Sequence, residues 1–461
     1  MLPIKLYDPV YASVLAVGLL AFNIGASLTW SSPVGPKLRN DTTTPFDQPI
    51  TMTEVSWMSS LMTLGGAVGS LIFVHLVNAI GRRKTLLSLG VPLFIAYVLM
   101  ATVQKAEVYY AARILIGLAA GGIFTVGPLY CGEISSKANR GILNSIMSCG
   151  TNLGVLFSYA VGPWMGVVAF NCLLGVFPLI FLACFFFVGE ETAHFYLVNN
   201  KEELGRHALK KHRSASDNVE EELQQIKRKK EETQGKVLST LKSGPFIKAM
   251  IISVGLLIAQ QMSGINAFLM YSQNIFFMAG SNLDPAICSI IVGLVQFGSN
   301  VTFTFFVDRF GRKTILRFAA LSLALCEIPL GVYCYLSDEG VDVNAVRFLP
   351  ILLFTLFILA YNHGFGPLPW ILLSEVFPTN VKTIAFSIAT CINWTLAFLI
   401  TKYFSTFVES IGLGPTFWLF GASCIAALIF IHIFVLETKG KTLEEIQDDL
   451  EKLVYCQASE M

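Results

Sequence analysis

The chain has 461 residues, of which 54% are hydrophobic and only 14% are charged. Soluble proteins carry about 25% charged residues, so this composition excludes an ordinary soluble domain. The net charge of +1 argues against a nucleic-acid partner, because such proteins attract phosphates with an excess of basic residues. The ten cysteines form no metal-spaced pair and nearly all lie in apolar stretches, which indicates buried thiols rather than disulfides.

Twelve apolar stretches are long enough to cross a membrane, for which a helix needs about 20 mostly apolar residues. They fall into two groups of six, separated by a polar insert. The predicted spans are 10–30, 55–77, 85–104, 108–130, 141–162 and 166–188, then 246–278, 286–307, 314–336, 345–371, 383–407 and 414–435. The sequence therefore predicts an all-α membrane protein in four parts. These are an N-terminal half (1–188), a cytoplasmic helical insert (189–245), a C-terminal half (246–435) and a tail (436–461).

Basic residues are concentrated on one side of the predicted spans. Ten lysines and arginines lie in the short loops after spans two, four, eight and ten, against five on the other side. Cytoplasmic loops carry such an excess, so we expect a multi-pass protein with both termini and the insert in the cytoplasm. The polar segment 31–54 reads as an outer loop, and Asn40-Asp41-Thr42 within it is an N-glycosylation sequon.

A pair of charged elements occurs in the same order in each half. Basic loops begin at Gly81 and at Gly311, and Glu133 and Glu375 each precede a basic residue by seven positions. Such repetition indicates a parallel internal repeat. Topology alone explains the arginines but not the glutamates, so we favour a cytoplasmic latch of weak ion pairs that break when the halves rock. The gating residues we assign are Arg82, Arg83, Glu133, Arg140, Tyr271, Arg312, Glu375 and Lys382.

Amide side chains interrupt the long apolar stretch of the seventh span. Gln260, Gln261 and Asn266 lie within seven residues of one another. An amide in hydrocarbon is unfavourable unless it is hydrogen-bonded. Gly264 weakens the helix between the amides, and an interruption at mid-membrane is where transporters place binding sites.

Two interpretations of these amides remain open. Paired donors and acceptors beside the aromatic residues Phe268 and Tyr271 suit a neutral polyhydroxyl ligand. The amides could equally join neighbouring helices, as polar side chains do inside membranes.

Several motifs resemble those of the sugar porter family, which belongs to the major facilitator superfamily. The most specific is Gln260-Gln261-Met262-Ser263-Gly264-Ile265-Asn266. The others are Pro128 to Glu133 with Arg140-Gly141, Asp308 to Lys313, Gly364 to Trp370 with Glu375, and Glu437 to Leu443. The resemblance covers residues 20–440 and implies a twelve-helix major facilitator fold that moves a neutral sugar by alternating access. Two departures are Asn78, where the family usually has Asp, and Glu190-Glu191-Thr192-Ala193, which replaces P-E-[ST]-P.

The resemblance also implies which residues contact the sugar. These are Asn152, Gln260, Gln261, Asn266, Gln296, Asn362, Trp370 and Asn393. In the insert, Lys201 to Lys211 and Val219 to Thr233 read as short helices, and the family places there a small domain that braces the two halves. The tail from Thr442 to Val454 has the apolar spacing of another helix, which we expect to pack on that domain.

Energy coupling is predicted from the acids in the spans. Proton-coupled relatives carry an Asp in span one, and this chain has Ala26 at or beside that position. The one carboxyl near mid-membrane is Glu327, on a span that the family places away from the sugar. The motifs are most similar to the insect facilitated trehalose transporter group, so we expect a facilitator of trehalose or of a hexose such as glucose.

Two alternatives remain, a proton-coupled symporter and a non-transporting sugar sensor. The spans contain no nucleophile–base or metal-ligand cluster, so we expect neither an enzyme nor a bound cofactor. We also expect a monomer in the plasma membrane.

Overall fold

The computed structural model describes residues 9–136, 139–213, 219–233, 240–306, 310–441 and 444–451, and these ranges contain helices and turns but no strand. The chain divides into two compact units. One contains residues 1–28, 40–49 and 61–234, and the other contains residues 29–39, 50–60 and 235–461.

In the part of the chain that the structure describes, ten α-helices precede residue 235. They are α1 (Pro9–Thr29), α2 (Ser31–Leu38), α3 (Met52–Ile80), α4 (Arg82–Thr102), α5 (Ala106–Ile134), α6 (Arg140–Val161), α7 (Val167–Val188), α8 (Ala193–Val198), α9 (Glu202–His212) and α10 (Val219–Thr233). Further helices follow it in the described chain. They are α11 (Gly244–Met262), α12 (Ile265–Met278), α13 (Pro285–Phe306), α14 (Arg312–Asp338), α15 (Leu349–His363), α16 (Leu368–Val376), α17 (Thr379–Ile411) and α18 (Leu413–Phe434).

Eleven segments of the described chain are long and apolar enough to cross a membrane. Helices α11 with α12, and α15 with α16, each count as one such segment. The predicted fifth span corresponds to α6, which has 22 residues, carries Asn144, Ser145, Ser148 and Asn152, and is not among these eleven segments. The helical membrane fold is therefore confirmed, and the count of twelve spans stays a prediction.

The segment 31–54 is not irregular throughout, because residues Ser31–Leu38 form α2. Val34 and Leu38 on this helix are buried, at 1% and 0% exposure. Proline is tolerated in the first turn of a helix, where its missing N–H would have no partner, so Pro33 does not prevent α2 from forming.

The predicted tenth span 345–371 is also not one continuous helix. It breaks between His363 and Leu368, where Gly364, Gly366 and Pro367 remove helical preference and a backbone donor. Carbonyl groups in such a break are free to bind side chains, and the site described below uses two of them.

The insert forms a small helical cluster of its own in the first unit. Its core consists of Ala193, Leu197, Ala208, Leu209 and Leu223. Helix α10 has the predicted bounds, α9 is displaced by one residue from its prediction, and α8 was not predicted. The bracing role of this cluster stays a prediction.

The tail forms a helix over residues 444–451, on which Ile446 and Leu450 are buried. Gln447 Nε2 donates to the carbonyl of Val376 at 2.7 Å, which fixes the tail to the end of α16. Leu443 and Leu453, which belong to the predicted apolar face, lie outside the described residues.

Candidate functional site

A helix break at Gly264 separates α11 from α12, as the sequence predicts. Gly264 has a φ of 73°, in the left-handed region that residues with a Cβ rarely adopt. A Cβ there would also lie 2.7 Å from the ring of Phe420, so the position requires glycine. The break allows the amides of both helices to face one another.

Four amides around this break form a hydrogen-bonded relay. Asn266 Nδ2 donates to Gln261 Oε1 (2.5 Å), and Gln261 Nε2 donates to Asn393 Oδ1 (3.0 Å). Asn393 Nδ2 then donates to Gln260 Oε1 (3.0 Å). Gln260 Nε2 finally donates to two main-chain carbonyls in the break between α15 and α16, at 2.7 and 3.0 Å.

The direction of this relay is set by the two carbonyls at its end. A carbonyl can only accept, so Gln260 must turn its NH₂ group toward residues 365 and 366 and its oxygen toward Asn393. The orientation of each following amide group is then fixed by the one before it. Gln260, Gln261 and Asn393 are buried, whereas Asn266 at the other end is half-buried. Asn266 is therefore the open end of the relay.

A second polar group lies between α13 and α15. Asn362 Nδ2 donates to Ser299 Oγ at 2.9 Å, and Ser299 Oγ donates to the carbonyl of Gln296 at 3.0 Å. The Oε1 atom of Gln296 is buried and has no hydrogen-bond partner among the described residues. A buried acceptor without a partner is unfavourable by about 1–3 kcal/mol, so this oxygen is suited to receive a ligand hydroxyl. Trp370, at the start of α16, is half-buried.

The two aromatic residues that follow the amides are buried in contacts between helices. Phe268 is 1% exposed and stacks on Phe357 and Phe417, with ring centroids 4.3 and 5.4 Å apart. Tyr271 is also buried, and its hydroxyl donates to the carbonyl of Thr401 at 3.1 Å. Both rings therefore belong to the helix packing, and their place beside a bound ligand stays a prediction.

The first unit contains one of the residues predicted to contact sugar and a buried arginine. Asn152 on α6 is 8% exposed, and its Nδ2 donates to the carbonyl of Ser148 in the same helix at 3.0 Å. Arg113 on α5 is fully buried and donates to the carbonyl of Ser27 on α1 at 2.9 Å. The Ser27 hydroxyl in turn shares a hydrogen bond with that of Tyr97.

At the basic loop of the first unit, Arg82 and Glu133 form a bidentate ion pair, with N–O distances of 2.7 and 2.9 Å. Thr192 Oγ1 donates to the same carboxylate at 2.6 Å. The neighbouring Glu191 carboxylate accepts the backbone N–H groups of Arg82 (2.9 Å) and Arg83 (3.1 Å) at the start of α4. Burial raises the pKa of Glu191, and these donated N–H groups partly offset that effect.

The second unit repeats this arrangement with different residues. Arg312 Nη2 lies 3.3 Å from Glu375 Oε1, and Thr438 Oγ1 donates to Glu375 at 2.6 Å. Glu437 accepts the backbone N–H groups of Arg312 (2.9 Å) and Lys313 (3.2 Å) at the start of α14. A carboxylate at a helix N-terminus pairs with free N–H groups and with the helix dipole. Glu191-Thr192 and Glu437-Thr438 each follow the last span of their half, and their contacts with the basic loops were not predicted from the family motifs that contain them.

The other predicted gating residues have different surroundings. Arg83 Nη2 donates to the carbonyl of Phe186 at 2.7 Å, so its side chain is directed along α7 rather than toward Glu133. Lys382 Nζ donates to the carbonyl of Ser374 at 2.6 Å. The side chain of Arg140 lies outside the described part of the structure.

The predicted glycosylation residue Asn40 is exposed. Its Oδ1 accepts the backbone N–H (2.9 Å) and the hydroxyl (2.7 Å) of Thr42, which closes a turn.

Comparison with known proteins identifies the family. The family model described as "Sugar (and other) transporter" matches residues 21–450. The facilitated trehalose transporter Tret1 of Bombyx mori is 33% identical over 441 residues, which cover 94% of this chain and 85% of that protein. Tret1 of Polypedilum vanderplanki is 32% identical, with 96% and 88% covered. Tret1 of Anopheles gambiae is also 32% identical, but the chain spans 56% of its length.

Solved structures show the same fold. The inward-open xylose transporter XylE from E. coli superposes with a TM-score of 0.79 at 22% identity, covering 95% of this chain and 99% of that one. The major facilitator superfamily proton:xylose symporter XylE bound to 6-bromo-6-deoxy-D-glucose gives a TM-score of 0.76 at 24% identity, covering 96% and 99%. This chain therefore belongs to the sugar transporter family and has the major facilitator fold.

Proposed function

We propose that the protein is a facilitator that carries a neutral sugar down its gradient by alternating access. The observation that carries this proposal is the amide relay at the broken helices of the second unit. Amides present both donors and acceptors without charge, which matches the hydroxyl groups of a neutral sugar. Relatives that are 32–33% identical over most of the chain are named facilitated trehalose transporters, which makes trehalose the first substrate to test, with glucose as the hexose alternative.

Within this proposal, the sugar-contacting set keeps the sequence-predicted members. It consists of Asn152, Gln260, Gln261, Asn266, Gln296, Asn362, Trp370 and Asn393. Arg82 with Glu133 and Arg312 with Glu375 form the cytoplasmic latch, and Tyr271 belongs to the outer gate. We further propose a plasma-membrane location, cytoplasmic termini, a monomeric state and a glycan on Asn40.

The rival function is a proton-coupled sugar symporter. Proton coupling requires a carboxyl that titrates near the sugar path. In the first unit the buried Arg113 donates a hydrogen bond to a neutral group, the main-chain carbonyl of Ser27. Glu327 on α14 is fully buried and accepts a hydrogen bond from Cys424 on α18 at 3.3 Å. The Glu327 side chain therefore joins two helices, which favours the facilitator over the symporter.

The test is uptake of radiolabelled trehalose and glucose into proteoliposomes with an imposed inward proton gradient. A facilitator brings the internal sugar to the external concentration and no further, with or without a protonophore. Accumulation above the external concentration that a protonophore abolishes would establish the symporter instead. Glu327→Gln then identifies the coupling group, because it removes such accumulation only if Glu327 carries the proton. Liposomes without protein measure leakage.

A further inference from the structure

Lys402 is a buried cation in the half of α17 that lies away from the basic loops. The helix begins at Thr379, and Lys402 lies about 35 Å further along it, at 1.5 Å per residue. The residue is 9% exposed. A lysine within a membrane span is unfavourable unless its ammonium group is bound or reaches the headgroups. Its partners therefore indicate what it does.

The ammonium group has two partners on the second turn of α3. Nζ donates to Ser56 Oγ at 2.8 Å and lies 4.3 Å from the centroid of the Trp57 ring. Trp57 also lies against Phe398, one helical turn before Lys402, with ring centroids 6.3 Å apart. All four residues belong to the second compact unit. A cation over a tryptophan face is attracted to the ring, so Lys402 holds the beginning of α3 against α17.

The neighbouring contacts join two more helices at the same level of this unit. The hydroxyl of Tyr271 on α12 donates to the carbonyl of Thr401, which directly precedes Lys402. On α2, Ser31 and Ser32 form hydrogen bonds with the backbone of α12 at 3.0 and 3.2 Å. Helices α2, α3, α12 and α17 are thus connected by short polar contacts, and Lys402 is the buried charge among them.

We propose that Lys402 is the latch of the outer gate and that its contact with Trp57 and Ser56 stabilises the closed state. This inference rests on the proposed function, because alternating access requires the helix ends on this face to separate when sugar enters. Separation moves the Trp57 ring away from Lys402 and leaves the ammonium group without its partners. A lysine that only extended its stem to reach the lipid headgroups would not depend on Trp57.

The test measures how often the outer gate opens. Val55 on α3 is 4% exposed and lines a small cavity together with Tyr271 and Arg39, so Val55→Cys reports opening through its reaction with a membrane-impermeant maleimide. The chain without this reporter gives the background from its own cysteines. The variants are Lys402→Met, which keeps the length of the side chain and removes its charge, and Lys402→Arg, which keeps the charge.

Lys402→Met should raise the labelling rate by about tenfold, and Trp57→Leu should raise it by a similar factor. Because both remove the same contact, the double variant should label no faster than either single variant, whereas independent defects would multiply. Lys402→Arg should stay within about twofold of the parent, because arginine also binds aromatic faces. Tyr403→Phe, a change at a half-exposed neighbour on α17, should leave the rate unchanged.

Two results would overturn the Lys402 latch. One is an unchanged labelling rate in Lys402→Met, and the other is a double variant whose effect equals the product of the single effects. If Lys402→Met does not fold, Trp57→Leu and Ser56→Ala test the same contact from α3. Labelling needs no transported sugar, so the result is separable from the proposed function. If Lys402→Met reacts faster in a protein that moves no sugar, the Lys402 latch is supported and the proposed function is not. If uptake is normal and labelling does not change, the Lys402 latch is overturned and the proposed function stands.

Discussion

Replacing Asn393 by an aspartate tests whether the amide relay has the direction that its carbonyl end imposes. Asn393 donates to Gln260 Oε1 and accepts from Gln261 Nε2, each at 3.0 Å. Gln260 cannot turn to present its nitrogen instead, because that nitrogen is held by two carbonyls at 2.7 and 3.0 Å. In Asn393→Asp, the ionised side chain would therefore place a carboxylate oxygen against a carbonyl oxygen. The neutral acid, by contrast, can donate through its O–H and accept through its C=O, as the amide does.

The size of the effect follows from the burial of the two groups. Asn393 is 6% exposed and Gln260 is 3% exposed, so water does not replace the lost donor. An unsatisfied buried polar group costs about 1–3 kcal/mol, which corresponds to a loss of about 5- to 150-fold in sugar affinity. This loss applies to the ionised form alone. Because the neutral form is competent, sugar binding by Asn393→Asp is present at low pH and falls as the pH rises through the titration of the introduced acid.

The assay is the initial rate of labelled sugar uptake into proteoliposomes over about pH 5–8, with each variant divided by the parent at the same pH. Asn393→Leu is the matched control, because it removes both hydrogen bonds and has no group to titrate. We expect Asn393→Leu to be impaired equally at every pH. If Asn393→Asp follows either the parent or Asn393→Leu throughout this range, the direction deduced for the relay is wrong.

Further predictions concern the relay end and the cytoplasmic latch. Gln261→Ala and Asn266→Ala should each weaken sugar binding by about 1–3 kcal/mol, measured by equilibrium binding to the purified protein, and unchanged affinity in both would remove these residues from the site. Glu375→Gln should shift the resting population toward the state open to the cytoplasm by about two- to fivefold, because it weakens a partly exposed ion pair with Arg312. Cysteine accessibility from each face measures that shift, and no change on either face would mean that Glu375 only stabilises the end of its helix.

The break in the seventh span could be predicted from the sequence because its causes are local. Glycine and three amides within seven residues both weaken a helix and require partners, and Gly264 indeed separates α11 from α12. The partners could not be predicted in the same way. The carbonyls of Phe365 and Gly366 lie about a hundred residues further along the chain. They become free only because the tenth span is broken, and an apolar window over 345–371 does not show that break.

Lys402 shows even more strongly that long-range partners cannot be predicted from the sequence. In the sequence it counts as one of the few basic residues on the outer side, which carries information about topology only. Its hydrogen-bond partner Ser56 is 346 residues away, so no spacing pattern connects the two. A long-range contact between an ammonium group and a tryptophan ring has no periodic signal, and only the packing of α3 against α17 reveals it.

The two basic loops show which part of a repeated motif is under physical constraint. Gly81 has a φ of 94° and Gly311 a φ of −68°, so the two loops differ in backbone conformation. A Cβ at either position would nevertheless lie 2.2 Å from a carboxylate oxygen, that of Glu191 or of Glu437. Glycine is thus needed in both halves for the close approach of a glutamate to a helix N-terminus. Glu190-Glu191-Thr192-Ala193 lacks the prolines that the family carries there, yet its carboxylate and threonine hydroxyl still make these contacts.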